Sequence, residues 1–342
     1  MDVFTLLNTI RANSSALYQE RIPEATADNL KKLGGTIINY APARNEFCDA
    51  LINKIAFTIV RSRAWKNPLA VLKKERKPFG TDIEDIYINP ATGEVYDGNE
   101  TGDLLTLKKP DIKTMYHRMN RQGKYKVSIS VPELQQAFTS AANFEKFLNS
   151  KIQSLYNGDE MDEYLLMRNI FVDAVKKNML PSATINYTGD ETTSKELVKA
   201  IKILSGDFTF MRNDFNGYNL LNKTAIANEE ITPCITWTPL ENQILLIRND
   251  VDKSTDVEVL AKAFNMEKTE FLKRKIVVDS FGDTDTLAVL IDDALTEFRD
   301  NFYSIEEFHN GSTLTKTYWL HHWQTLSLTL FANGYAIKQA TA

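Results

Sequence analysis

The sequence predicts a two-lobed α+β fold. Three observations predict it. Apolar residues recur at helical spacing around Phe47 and again from Phe144 to Val175. Residues 66–126 carry many turn signals and few apolar side chains, so they form a long β-hairpin and no core of their own. From Thr184 to about Asp300, β-prone and helical runs alternate, the texture of a compact α/β lobe. At 342 residues the chain also exceeds the size at which a single core keeps growing, which makes two lobes the natural expectation.

Residues 1–43 are polar, carry Ser14-Ser15 and Gly34-Gly35, and show helical spacing only near Phe4, Leu7 and Ile10. They are expected to form an extended N-terminal arm. Phe47, Leu51, Ile55 and Ile59 then draw an apolar stripe along a helix over 44–59, with Pro42 placed where a helix starts.

The hairpin segregates its charges. Lys73, Lys74, Arg76 and Lys77 form a basic block, interrupted by Glu75. Asp82, Glu84, Asp85, Glu94, Asp97, Glu100 and Asp103 follow with no Lys or Arg among them. Lys108, Lys109, Lys113, Arg118, Arg121, Lys124 and Lys126 restore the positive sign. A core-poor hairpin with alternating charge blocks suits an arm that reaches across a neighbour, because opposed blocks set register and partner choice. Lys73, Lys74, Arg76, Lys77, Asp82, Glu84, Asp85, Lys108, Lys109, Arg118 and Arg121 are the residues expected to make that contact. A solvated surface hairpin is the alternative that pattern alone leaves open.

Beyond the hairpin, Val131-Pro132 leads into a helix over 133–140, and Phe144, Phe147, Leu148, Ile152 and Leu155 mark an amphipathic face. Asn157-Gly158 is expected to break it before a longer helix that ends near Asn178. Strands are expected at 183–187, 243–248 and 275–278, and helices at 194–204, 257–264 and 287–298. The aromatic stretches 313–320 and 325–336 are expected as terminal strands, with His321-His322 at their joint.

Bulk properties bound the function. Apolar residues make up 43% and charged residues 25%, ordinary for a globular protein. The net charge of −5 speaks against a dedicated nucleic-acid binder. Two distant cysteines, Cys48 and Cys234, build neither a disulfide framework nor a zinc cluster, and a reducing compartment is expected. No signal-peptide pattern follows Met1, and no apolar run reaches the length of a membrane helix, so no membrane partner is expected.

Candidate chemistry is thin. Asp283-Thr284-Asp285 resembles the short acidic motif with which some sugar-transfer enzymes hold a divalent metal, but its place before a predicted helix suits capping better. Asp250, Asp252 and Ser254 echo the start of a calcium loop, yet Thr255 stands where glycine is required and Ala261 where glutamate is required. Adjacent His321 and His322 point to opposite faces of a strand and cannot share a metal. Phosphate-binding glycine loops and the serine-nucleophile elbow are missing from the sequence. Neither catalytic nor metal-binding residues are therefore assigned, and no cofactor is expected. The two rival functions are a metal-dependent transferase using Asp283 and Asp285, and a nucleic-acid accessory protein using the basic run 108–126.

Taken together, Asn45–Ile59 with Pro78–Tyr87, Tyr116–Tyr125 with Val131–Phe138, and Tyr318–Ser327 with Phe331-Ala332-Asn333 carry a resemblance. The chain resembles the major capsid proteins of short-tailed and gut phages, which adopt the Johnson fold of tailed-phage and herpesvirus shells. Specificity comes from the joint occurrence of these stretches. The resemblance implies an N-terminal arm at 1–43 and an extended β-hairpin loop at 66–125 lying over an adjacent subunit. It implies a peripheral domain with a spine helix, built from 44–65, 126–183 and 301–342, and an axial domain at 184–300. It further implies a non-enzymatic subunit that assembles with itself as hexamers and pentamers into an icosahedral head around double-stranded DNA. Its partners would be a portal and a separate scaffolding protein, and assembly would take place in the host bacterial cytoplasm.

Overall fold

The structure, a computed structural model, describes residues 3–51, 65–78, 80–93, 107–254 and 274–340. Contacts divide the chain into two units. The first comprises Met1–Asn67, Arg121–Glu163 and Asn301–Trp323; the second comprises Pro68–Asn120, Tyr164–Asp300 and Gln324–Ala342.

The first unit is helical around one core. Residues 3–43 are not extended. They form helices Val3–Ala12, Ala16–Arg21 and Leu30–Asn39 and enter a fourth, Ala41–Asp49, with Pro42 in its first turn. Leu6 and Leu7 lie one helical turn before Ile10 and all three are buried, as are Leu30, Leu33 and Ile37. The Ser15 hydroxyl accepts from the Tyr18 backbone N–H and starts the second helix, so the polar Ser14-Ser15 pair is capping chemistry inside a packed segment. Phe47, Phe138 and Phe144 meet as tilted rings at 5.3–6.3 Å between centroids. Ile55 and Ile59 of the predicted stripe lie outside the described residues.

Asn157-Gly158 does not break the following helix. It runs unbroken over Ser154–Lys176, and Asn178 beyond it takes φ 54°, where the sequence places the helix end. Asn157 spends its side-chain oxygen on the Trp65 backbone N–H, and Leu155 and Tyr156 are buried beside it. That packing outweighs the ~1 kcal/mol a helical glycine costs.

The second unit is a five-stranded mixed sheet between helices. Its strands are β4 (Ser182–Ile185), β5 (Gln243–Arg248), β6 (Lys275–Val278), β7 (Thr286–Asp292) and β10 (Gly334–Gln339), in the order β4-β10-β7-β5-β6. β10 pairs parallel with β4 and antiparallel with β7; β5 pairs antiparallel with β7 and parallel with β6. Every residue of β7 is buried. Val289 and Ile291 face a core shared with Met167 and Phe171 of the long helix, while Ala288 and Leu290 face Leu197, Ile201 and Phe208 of helix Glu191–Phe208.

Residues 287–298, expected as a helix, are therefore a strand, a short 3-10 turn at Asp293–Leu295, and the start of β8 (Thr296–Asn310). A strand buried on both faces loses its period-two alternation and reads like a helix. The expected strands at 243–248 and 275–278 match β5 and β6, and the expected helix at 194–204 lies within Glu191–Phe208. The helix expected at 257–264 lies outside the described residues.

Four further strands complete the described residues: β1 (Ile83–Ile88), β2 (Ile112–His117), β3 (Arg121–Ser130) and β9 (Thr315–Leu328). β1 and β2 pair antiparallel as a two-stranded ribbon, while β3 belongs to a second sheet of order β3-β9-β8. β9 (Thr315–Leu328) is continuous, so His321-His322 sit inside one strand and not at a joint.

Candidate functional site

The ribbon β1–β2 is the part of the molecule whose two faces differ most. Its register places Ile88 opposite Ile112, Ile86 opposite Thr114, and Glu84 opposite Tyr116. Partners across a ladder share a face, so Glu84, Ile86, Ile88, Ile112, Thr114 and Tyr116 form one face, and all six are exposed. Asp85, Tyr87, Lys113, Met115 and His117 form the other, which is pinned to the second unit.

The pinning is specific. The Tyr87 ring stacks on Phe331 at 5.6 Å, and its hydroxyl donates to the Ile235 carbonyl. Asn89, just past β1, donates to Asp111 Oδ2 at 2.6 Å and the Pro233 carbonyl at 2.8 Å, and accepts from the Ile235 N–H at 3.1 Å. Lys113 reaches Asp111 at 2.5 Å and lies over the Tyr218 ring. The buried His117 ring bonds the Ser327 hydroxyl through Nδ1 at 2.7 Å, while Nε2 stays 3.6 Å from Asp85 Oδ2. Asp85 accepts from the Thr329 hydroxyl. Burial raises its carboxyl, but the His117 ring and the Thr329 hydroxyl outweigh that and hold it below the usual range.

The residues singled out from the charge blocks fall into three groups. Lys73 pairs with Asp300 at 2.7 Å and Lys74 with Glu297, both within the second unit. Arg121 is buried in the first unit, donating to Asp159 Oδ1 and the Tyr125 hydroxyl at 2.9 Å each, and His322 Nδ1 sits 2.8 Å from the other Asp159 oxygen. These, with Asp85, serve the subunit's own fold. Asp82 and Arg118 form an exposed pair at 2.9 Å, and Glu84 accepts from the Tyr116 hydroxyl at 3.0 Å. Arg76, Lys77, Lys108 and Lys109 are exposed. Glu94, Asp97, Glu100 and Asp103 lie outside the described residues.

The acidic motifs are likewise engaged. Asp283 accepts from the Thr286 N–H and hydroxyl, capping the start of β7 and not of a helix. Asp285 accepts from the Thr284 hydroxyl at 2.9 Å, Asp250 pairs with Arg248 at 2.6 Å, and Asp252 pairs with Lys275 at 2.7 Å. Cys48 and Cys234 are free and buried, and burial pushes each thiol up to about 12, so neither is a nucleophile near neutral pH. Missed in the sequence were Asn89, Tyr87 and His117, the clamps of the ribbon. Their signal was there: Asp85, Tyr87 and Asn89 alternate with Glu84, Ile86 and Ile88.

A family model described as Phi29-like phage major capsid protein matches residues 7–338. The chain belongs to that family. It is a shell-forming subunit of the phage particle, and its role is structural. Among its relatives, the major capsid protein of Bacillus phage PZA is 33% identical over 339 residues, covering 97% of this chain and 72% of that one. The major capsid protein of Streptococcus phage Cp-1 is 29% identical, covering 96% and 92%. In three dimensions the chain is similar to a chain of the capsid structure of Staphylococcus phage Andhra. The TM-score is 0.66 at 14% identity, covering 81% of this chain and 85% of that one. The fold is the α+β Johnson fold that the resemblance implies.

Proposed function

We propose that this subunit closes an icosahedral head by assembling with itself as hexamers and pentamers around double-stranded DNA. Assembly takes place in the bacterial cytoplasm, with a portal at one vertex and a separate scaffolding protein to set curvature. The observation that carries this reading is the match to a phage capsid family along nearly the whole chain, residues 7–338. A closed shell places one chain in slightly different surroundings, which favours many modest contacts over one large one. The division by role places an intersubunit loop within 66–125, a peripheral role on the helical unit that includes residues 3–43, and an axial role on the sheet lobe that β10 completes. The net charge of −5 supports a lumen that does not grip packaged DNA.

The test is to express the full chain, alone and with its phage's scaffold, and to examine it by size-exclusion chromatography and negative-stain electron microscopy. Hexameric and pentameric rings or closed shells are expected. A chain that remains monomeric in both preparations, over a range of salt and concentration, would sink the proposal.

A further inference from the structure

Asparagine followed by glycine occurs four times in the sequence, at Asn157-Gly158, Asn216-Gly217, Asn310-Gly311 and Asn333-Gly334. The pair is chemically labile, because a residue without a side chain lets its own backbone nitrogen reach the Cγ of the asparagine before it. The fold closes that route at three of the four. Asn157 and Gly158 lie inside helix Ser154–Lys176, whose geometry keeps the Gly158 nitrogen in the helical ladder and away from Cγ. Asn216 is 1% exposed; its Nδ2 donates to the Cys234 carbonyl at 3.1 Å and the Thr236 hydroxyl at 3.2 Å, and its Oδ1 accepts from the Asn219 N–H. Asn333 is equally buried, and the Gly334 N–H, the group that must attack, is committed to the Phe215 carbonyl at 2.9 Å.

Asn310-Gly311 differs on each count. Asn310 ends β8, and 311–314 form the exposed turn that leads into β9. The Asn310 Oδ1 accepts from the Ser312 N–H at 3.0 Å and from the Ser312 hydroxyl at 2.7 Å. Both donors sit on the oxygen where negative charge gathers when a nucleophile adds to Cγ, and neither engages the amide nitrogen that has to leave. A Cβ on Gly311 would meet nothing within 4 Å, so the space around the turn is open. We propose that Asn310 is the site that the fold leaves open to spontaneous covalent modification, becoming aspartate and isoaspartate as the subunit ages. The Gly311 nitrogen gives up its proton and bonds to Cγ; the Cγ–Nδ2 bond breaks, and ammonia leaves with that proton, closing a cyclic imide. Water then opens the ring at either carbonyl. The sum is one water consumed and one ammonia released, with nothing oxidised or reduced. Either product places a new carboxylate at the tip of the β8–β9 hairpin, and isoaspartate also routes the main chain through one extra carbon there. The inference stands apart from the shell reading and goes beyond it.

The test incubates the full-length subunit in warm, mildly alkaline buffer and follows all four asparagines by peptide mapping with mass spectrometry. Conversion is read as the mass change of an amide becoming a carboxylate, and isoaspartate is scored by labelling with isoaspartyl methyltransferase. In the folded chain Asn310 should convert roughly tenfold or more faster than Asn157, Asn216 or Asn333, whose reaction waits on local opening. In urea, where the fold is gone, the four should convert at similar rates. Gly311→Ala fits the open turn and should melt like the wild type while slowing Asn310 by roughly tenfold. Ser312→Ala should slow it by roughly two- to tenfold, the factor that one hydrogen bond carries. Equal rates at the four sites in the folded chain, or an Asn310 that keeps its amide, overturn the inference. An unslowed Ser312→Ala, or the same preference for Asn310 in urea, overturns it too, since the choice would then lie outside the folded turn.

Discussion

Asp292 shows how a single buried group writes a pH dependence into the subunit. Burial, with the neighbouring Asp293 carboxyl, pushes its carboxyl up to about 6, against the hydrogen bonds from the Thr238 hydroxyl at 2.6 Å and the Ala294 N–H at 2.8 Å. Between about pH 4 and 6 the folded state holds a proton that the unfolded chain has lost. Stability therefore falls as pH rises through that window, by at most roughly 3 kcal/mol at ~1.4 kcal/mol per unit. Asp292→Asn should flatten this limb in urea titrations of the unassembled subunit; an unchanged slope would refute the assignment. Arg121 makes the opposite case, because the sequence offered it as a surface charge and the fold buries it on Asp159. Arg121→Ala leaves Asp159 buried beside His322 and should cost about 3–5 kcal/mol. A loss below 1 kcal/mol would contradict that. Neighbouring charges part company in the same way. Asp85→Lys should lower the melting temperature of the subunit, since Asp85 accepts from Thr329 and faces His117, whereas Glu84→Lys on the open face should leave it within ~0.5 kcal/mol of the wild type. Reversing both together cannot separate folding from assembly.

Elements were legible where apolar residues follow a helical period or form a short run closed by polar residues. Helix Glu191–Phe208 and strands β5 and β6 stood out because their burial follows a period or a short bounded run. β7 did not, because both of its faces are dry. The N-terminal segment was misread for another reason: the helical spacing near Phe4, Leu7 and Ile10 was legible, but the helices Ala16–Arg21 and Leu30–Asn39 are short and separated by polar turns, so their packing left no mark. Gly34 tests how tightly the third of these helices packs. A Cβ there would sit 2.3 Å from the Phe138 Cβ and 2.5 Å from its Cγ. Helix propensity alone favours alanine by ~1 kcal/mol, but overpacking costs about 1–3 kcal/mol and involves the rigid root of the Phe138 side chain. Gly34→Ala should therefore destabilise the subunit in denaturant, whereas Gly35→Ala, with open space around its Cβ, should be neutral or stabilising. Equal effects at the two glycines would disprove the close approach.

At the scale of the whole molecule, the sequence revealed the family more readily than the connectivity. The resemblance rests on stretches far apart in the chain whose joint spacing survives divergence, while the chain's repeated passage between two cores leaves no local mark. The expectation of an α/β lobe confined to 184–300 shows the cost, because the sheet is not finished there. β10, at 334–339, lies between β4 and β7, and without it β4 has no partner and β7 becomes an open edge carrying Leu287, Val289 and Ile291. A bare apolar edge of that kind is unstable and prone to aggregate. The segment 164–300 expressed alone should thus show no cooperative thermal transition by circular dichroism. Restoring residues 324–342 through a flexible linker should recover one, because the missing strand returns to the middle of the sheet. Were the bare segment to melt cooperatively, β10 would be an accessory to that sheet and not part of its core.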